Sequence, residues 1–340
     1  MRAWQLHELG EPIDRLTLTE VDPPTPRPDQ VLLDIDAVGL SFPNVLMCRG
    51  EYQVKTTFPY TPGGESAGTV AAVGDQVEGI EVGQRVMAMG GGLEEQAVVN
   101  ASSVWPVPDN LASPKAAAIP VNYGTTWFAL HDRARLRDGE TLLVTGAAGG
   151  VGSAAIQLGK AAGATVIAVA GGAEKVGHCR ALGADHVIDH HVNEDFVDEV
   201  RDVSGGGVDV AYDPVGGDVL HRVRRCMAWD GRLLIIGFVQ GIPELPANHI
   251  LLKNYSVVGV HWGASLGRDP GSLDHQMRSV LELAATGHVD PLLYPPFPFD
   301  EGARALQALA DRETYGKAVV TGTGVAPAEG AQQPLNNNTL

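Results

Sequence analysis

The chain has 340 residues, three cysteines and a formal net charge of −17, with 44% hydrophobic and 19% charged residues. That length suits two domains of roughly 100–200 residues, and the apolar share excludes disorder over most of the chain. The acidic surplus argues against a nucleic-acid partner, which needs a cationic face, and no apolar run approaches the ~20 residues that cross a bilayer.

The first 122 residues are rich in Pro, Gly and short β-branched runs. Residues 30–37 (QVLLDIDA), 66–73 (SAGTVAAV) and 84–89 (QRVMAM) read as short strands separated by turns, the pattern of a small β-barrel or sandwich. From residue 123 strands and helices alternate. Residues 141–145 (TLLVT), 165–170 (TVIAVA), 186–188, 208–212, 232–236 and 256–260 read as strands. Residues 150–162, 173–182, 194–202 and 218–227 read as helices between them. This alternation predicts a doubly wound parallel sheet of six strands. Two further helix patterns and a strand at 318–321 follow residue 263, too few for a second core, so they are expected to return to the N-terminal barrel. Residues 325–340 are polar and are expected to form a disordered tail.

Arg222, Arg224 and Arg225 are the densest basic cluster and read as a solvated helix face. The N-terminus lacks the apolar stretch of a signal peptide. Cys48, Cys179 and Cys226 are too widely spaced for a disulfide framework or a metal knuckle. The expectation is a soluble cytoplasmic protein.

The strongest local signal is residues 144–152, VTGAAGGVG, between a predicted strand and a predicted helix. Small residues there let backbone approach a pyrophosphate, and the helix start offers free N–H groups to the anion. Ala147 stands where the dinucleotide fingerprint has its first glycine. An NAD site usually carries Asp or Glu at the end of the second strand, ~20 residues on, to bind the ribose 2′-hydroxyl. Here that strand ends Ala170-Gly171-Gly172, with Lys175 one turn further. A turn without a carboxylate favours a 2′-phosphate. Glu174 beside Lys175 opposes this, and Lys175 also reads as an ordinary exposed lysine.

Residues 62–68 (PGGESAG), 73–74 (VG), 83–86 (GQRV), 123–126 (YGTT), 147–152 (AAGGVG), 213–217 (DPVGG) and 316–319 (GKAV) together resemble the zinc-independent medium-chain dehydrogenase/reductases of the quinone oxidoreductase (zeta-crystallin-like) family. The resemblance runs in order from residue 1 to about 322. It implies a GroES-like β-barrel domain formed by 1–122 and 263–324, a Rossmann domain formed by 123–262, and NADPH in the cleft between them. Zinc members of the superfamily carry Gly-His-Glu where 63–65 stand and a cysteine ligand near Val38; Val38 and Gly64 provide no donor atom for zinc, so no metal is expected.

The resemblance assigns Gly149, Gly150 and Val151 to the pyrophosphate, and Gly171, Lys175 and Arg312 to the 2′-phosphate. His190 stands where relatives carry a nucleotide-touching tyrosine. Thr126, Phe238 and Val239 are placed near the nicotinamide. Ser41, Phe42, Asn44 and Tyr52 are implied to line the substrate pocket, where Ser41, Asn44 and Leu46 depart from the family's usual residues. Tyr52 is either the proton donor that related enoyl reductases use or a wall residue. Trp262 either lines the cleft or fills the core. The implied activity is hydride transfer from NADPH to quinones or related α,β-unsaturated carbonyls. An enoyl-CoA or 2-alkenal reductase using Tyr52, and a non-catalytic NADPH-binding structural protein, are the alternatives. A homodimer paired through strand 256–260 is also implied.

Overall fold

A computed structural model describes residues 1–322; the tail expected at 325–340 lies outside the described residues. Alternation of buried and exposed side chains builds the N-terminal sheet around one long strand, Gln30–Leu40. Val31 and Leu33 are enclosed and Asp34 is exposed, whereas everything from Ala37 to Leu40 is buried. The strand thus passes from the surface into the junction with the rest of the molecule. Ser66–Val73 pairs antiparallel along one edge, and Gln96–Asn100 and Ala318–Thr321 share the other. Register shifts between Leu32 and Leu33 and between Ile35 and Ala37 bend it. The resulting seven-stranded sheet includes Phe297–Pro298, Arg85–Ala88 and Val104–Pro106, and a hairpin of Arg2–Leu6 with Leu16–Glu20 stands beside it. Trp4, Leu6, Val38, Leu40 and Val45 share a core with Ala305 and Leu306 of the helix Gly302–Ala310. The end of the chain therefore packs with its beginning.

The second sheet has six parallel strands in the order His186–Asp189, Thr165–Ala170, Thr141–Val144, Val208–Asp213, Met227–Ile235 and Ser256–Gly259. Its central strands are apolar on both faces because helices cover both sides. Strand order reverses between Thr141–Val144 and Val208–Asp213, and a crevice forms outside the carboxyl ends of such strands. Several helices were not visible as sequence patterns, among them Ala247–Lys253, Phe42–Arg49 and Pro120–Trp127. The last of these runs across the expected boundary at 122/123. No helix among the described residues is long and apolar enough to cross a membrane.

The two sheets are joined at the crevice. The Gly316 N–H donates to the Ala148 carbonyl at 2.6 Å, and Gly316 and Gly149 form an isolated parallel bridge. The segment leading into the barrel strand Ala318–Thr321 is thereby fastened to the glycine-rich loop of the parallel sheet.

Candidate active site

The loop after Thr141–Val144 turns through Gly146 into the helix Gly150–Ala161, with Gly149 as its N-cap. Only glycine fits at 152, where a Cβ would collide with the Gly146 carbonyl. A Cβ at Gly150 would meet the Asn122 amide at 2.6 Å. The first-turn N–H groups of a helix have no intrahelical acceptor, and this helix has no acidic residue in its first turn. Gly149, Gly150 and Val151 are all half-buried at the crevice end of the loop. This loop fits a dinucleotide pyrophosphate. The opposite wall is the turn after Val208–Asp213. There the buried Asp213 carboxylate accepts from the Thr145 hydroxyl and from the N–H groups of Val215 at 3.2 Å and Gly216 at 3.1 Å. Burial pushes its pKa above the usual aspartate value.

Gly171, Lys175 and His190 come together at the end of the second strand. A Cβ on Gly171 would lie 2.6 Å from His191 Nε2 and 2.7 Å from His190 Nε2, so both imidazoles fold onto the turn. Their ring centroids are 4.7 Å apart, edge to face. Burial, and then the neighbouring His191, push the His190 imidazole below the usual histidine value. Asp189 accepts from the Gly172 and His191 N–H groups, both at 2.9 Å, and these bonds hold its carboxyl below the usual aspartate range. The one carboxylate at the end of the third strand is thus taken up by backbone. Lys175, on the helix Ala173–Ala181, is half-buried and has no ion-pair partner among the described residues. His191 and Asp189 were not singled out from sequence; their adjacency to His190 was the only signal.

Arg312 makes its hydrogen bond elsewhere in this structure. Its guanidinium donates to the Val239 carbonyl at 2.9 Å, so this conformation groups it with the exposed pair Phe238 and Val239 rather than with Lys175. That pair belongs to a loop fastened onto the 213–217 turn, with the Gln240 N–H donating to the Val215 carbonyl at 2.8 Å. From the barrel side, the ring of Tyr315 instead reaches the Lys175 helix and lies 4.2 Å from the His178 ring.

Three other candidates are held by packing and hydrogen bonds within the protein. Thr126 has no accessible surface; its hydroxyl donates to the Asn122 carbonyl at 2.7 Å and lies 3.0 Å from Tyr212 Oη. Trp262 is a core residue against Gly124, its indole N–H donating to Gln276 Oε1 at 2.8 Å. Asn44 is buried and fully employed: its amide donates to the Gly63 carbonyl at 2.7 Å and its oxygen accepts the Ser41 N–H at 2.8 Å. Phe42 is half-buried on the barrel core. Tyr52 is half-buried in the loop after the helix Phe42–Arg49, and its phenol has no hydrogen bond among the described residues.

A buried polar cluster joins two of the quoted motifs, 62–68 and 316–319, beside the nucleotide loop. Lys317 and Glu65, 2% and 1% exposed, form an ion pair between the two sheets. Lys317 Nζ also donates to Ser41 Oγ at 2.6 Å and faces Asn122 Oδ1 at 3.4 Å. Glu65 accepts the Val121 N–H at 2.8 Å and lies 3.1 Å from Ser41 Oγ. Burial pushes the Lys317 ammonium below the usual lysine value, with the charge and hydrogen bond of Glu65 opposing. Val38 is buried beside this cluster's strand, and Gly64, next to Glu65, has no atom within 4 Å of where a Cβ would stand.

The geometry agrees with comparisons to known proteins. Residues 27–109 match the alcohol dehydrogenase GroES-like domain, and residues 150–286 match the family described as zinc-binding dehydrogenase. Quinone oxidoreductase-like protein 2 of Mus musculus is 35% identical over 325 residues, covering 94% of this chain and 92% of that protein. The quinone oxidoreductase of Thermus thermophilus, solved also in complex with NADPH, is 32% identical with a TM-score of 0.80, covering 94% of this chain and all (100%) of that one. The CurK enoyl reductase superposes with a TM-score of 0.85 at 27% identity, covering 94% and 99% of the two chains. The relatives support an NAD(P)-dependent reductase acting on a small molecule. With a GroES-like barrel, a parallel Rossmann sheet and relatives matched over nearly the whole fold, the chain belongs to the quinone oxidoreductase family of medium-chain dehydrogenase/reductases.

Proposed function

We propose that the protein is an NADPH-dependent reductase that transfers hydride to quinones or related α,β-unsaturated carbonyls without a metal. The observation that carries this reading is the second-strand turn. Ala170-Gly171-Gly172 has no side-chain carboxylate, Asp189 is occupied by backbone N–H groups, and Lys175 and His190 stand beside it. A phosphate dianion finds cationic and imidazole donors there and no opposing free acid on the turn itself.

When bound, the reduced nicotinamide supplies the hydride. The protein's own groups do the rest. The N–H groups of Gly150 and Val151 hold the pyrophosphate, and Lys175 fixes the adenosine end. Phe238 and Val239, exposed at the crevice, exclude water from the nicotinamide end. The loop bearing Tyr52 and the start of the helix Phe42–Arg49 border the acceptor. Positioning and water exclusion are the main contributions such a site makes.

A second reading, an enoyl-CoA or 2-alkenal reductase, is favoured by one feature: the Tyr52 phenol is free of protein hydrogen bonds among the described residues. There Tyr52 protonates the α-carbon. Of two cations placed to meet carrier phosphates, Arg49 is held bidentate by Glu11 at 2.9 and 2.8 Å, whereas Lys55 is exposed and has no ion-pair partner among the described residues.

The strand Ser256–Gly259 ends the parallel sheet with one edge unpaired among the described residues, and Leu251 and Leu252 beside it are 79% and 71% exposed. An open edge flanked by apolar side chains supports a homodimer of cytoplasmic protomers paired there. Light scattering at micromolar concentration is expected to give twice the chain mass; a monomer refutes the dimer.

The functional reading is tested by NADPH fluorescence titration followed by turnover with a panel of small quinones and enones. Saturable binding with quinone turnover supports it. Turnover of enoyl thioesters alone selects the second reading, and binding without turnover of any acceptor selects a non-catalytic role.

A further inference from the structure

The helix Pro120–Trp127 continues past Trp127 in a π-helical segment, Phe128–Arg133, and the Ala134 N–H donates to the Ala129 carbonyl five residues back at 2.9 Å. Widened turns of this kind are frequent at functional sites, yet this one lies away from the crevice. It meets the carboxyl end of the helix Gly150–Ala161, about 18 Å along that helix from the pyrophosphate loop. Together with the helix Gly271–Ala285 it borders a cavity of about 250 Å³. Trp127, His131, Ala162, Ser279, Glu282 and Leu283 line it. The His131 ring lies 4.2 Å from the Trp127 ring, and burial pushes its imidazole below the usual histidine value, with Asp132 opposing. The Trp127 indole N–H, the His131 imidazole, the Ser279 hydroxyl and the Glu282 carboxylate have no hydrogen-bond or ion-pair partner among the described residues. The neighbouring cations are engaged elsewhere: Arg278, one turn before Glu282, pairs with Asp274, and Lys160 pairs with Asp185. Glu282 is therefore the one unpaired acid on the lining. Ala162 is the C-cap of its helix and brings the negative end of the helix dipole to the same cavity.

We propose that this cavity is a second small-molecule site, separate from the nucleotide crevice, and that it takes a small organic ammonium compound. An indole surface, a free carboxylate and a helix C-terminus share one preference, a cation with an apolar body. Trp127, Ala162 and Leu283 meet the apolar part, and Glu282 supplies the counter-charge. Ser279 and His131 are the partners for a polar substituent. The volume falls just below the ~300–1,000 Å³ of pockets for drug-sized ligands, so the occupant is small. An anion meets an uncompensated carboxylate and the negative helix end there, which excludes phosphate-bearing molecules such as a nucleotide. The site uses none of the residues assigned to the cofactor or the acceptor, so it stands independently of the reductase reading.

The test titrates choline, and separately its uncharged isostere 3,3-dimethylbutan-1-ol, into the full chain labelled with nitrogen-15 at tryptophan. The Trp127 indole signal is identified by its loss in Trp127→Phe and, independently, by its contacts with His131 ring protons. Choline is expected to shift the Trp127 signal saturably and to leave that of Trp229, 71% exposed on the surface, in place. The alcohol should need about tenfold higher concentration for the same shift. Glu282→Gln, at an exposed position, should weaken choline about three- to fivefold and leave the alcohol unchanged. Ser279→Lys, which sets a fixed cation in the cavity, should abolish the choline shift. Equal potency of choline and the alcohol overturns the ammonium assignment. An equal shift at Trp229, a choline response unchanged in both variants, or no saturable shift at Trp127 overturns the site itself.

Discussion

Replacing Lys317 by Met separates the structural value of the buried ion pair from its chemistry. The side chains of Lys317 and Glu65 are 3% and 1% exposed, so water does not reach either partner. Met fills nearly the same volume as the lysine stem and removes only the charge and its three donors. Glu65 is then a buried carboxylate with no cation, retaining one backbone donor, Val121 N–H. Breaking a buried pair in this way costs about 3–5 kcal/mol, a large part of the ~5–15 kcal/mol that holds a domain folded. The paired change Lys317→Met with Glu65→Gln tells a different story. Glutamine keeps an oxygen for Val121 N–H and carries no charge, so the double variant should lie within about 1.5 kcal/mol of the unmutated protein. The assay is urea unfolding followed by tryptophan fluorescence, which samples buried Trp105 and Trp262, with circular dichroism as a second probe. A coupling energy of at least about 2 kcal/mol is expected from the cycle. A single variant that costs under about 1 kcal/mol, or a double variant as unstable as the sum of the singles, would refute the reasoning, because the pair would then be solvated or unpaired in solution.

Other consequences are open to measurement. Lys175→Ala should raise the Michaelis constant for NADPH about tenfold and leave that for NADH nearly unchanged, since one charge-assisted bond is lost from ground-state binding; an equal change for both cofactors would remove the 2′-phosphate assignment. Arg312→Ala should have a smaller effect on the NADPH to NADH ratio than Lys175→Ala, because its guanidinium is bonded to the Val239 carbonyl. Burial pushes the thiols of Cys48, Cys179 and Cys226 up to about 12, so the thiolate is scarce and none should react with a disulfide reagent at pH 8 until the protein unfolds; rapid labelling of the native chain would contradict the packing. Gly124→Ala should lower thermal stability by about 1–3 kcal/mol through overpacking, because a Cβ there collides with the Trp262 ring. Elemental analysis should find no stoichiometric zinc, and chelator should leave activity intact, since Val38 and Gly64 have no ligand atoms.

The parts of this molecule that were legible in its sequence are those whose physics is local. Each strand of the parallel sheet is a mostly apolar run bounded by turn residues, and the nucleotide loop requires its small residues for reasons that lie within one short stretch. The same holds for the second-strand turn, where Gly171 and Lys175 stand about one helical turn apart. The local hydrogen bonds of Thr126 and Asn44 were not legible because local competition is invisible in composition. Thr126 sits one helical turn after Asn122 and bonds back to its carbonyl, while Asn44 satisfies the chain entering its own helix. Trp262 was ambiguous because the space it fills is created by Gly124, far earlier in the chain.

The division has a chemical cause. Holding a pyrophosphate takes consecutive backbone N–H groups from one loop, so one stretch of sequence reveals it. Burying a cation with its counter-ion and a hydroxyl takes groups from several segments of the chain. In this chain they come from Lys317, Glu65 and Ser41, on three strand ends that meet only when the last strand, Ala318–Thr321, pairs with Gln30–Leu40. Glu65 and Lys317 stand in two of the quoted motifs, 62–68 and 316–319, but neither motif names the other as its partner. Their contact follows from the return of the chain's end to its first domain, the step that also fastens Gly316 to the nucleotide loop. The buried ion pair is therefore completed by the same long-range pairing that joins the barrel to the parallel sheet.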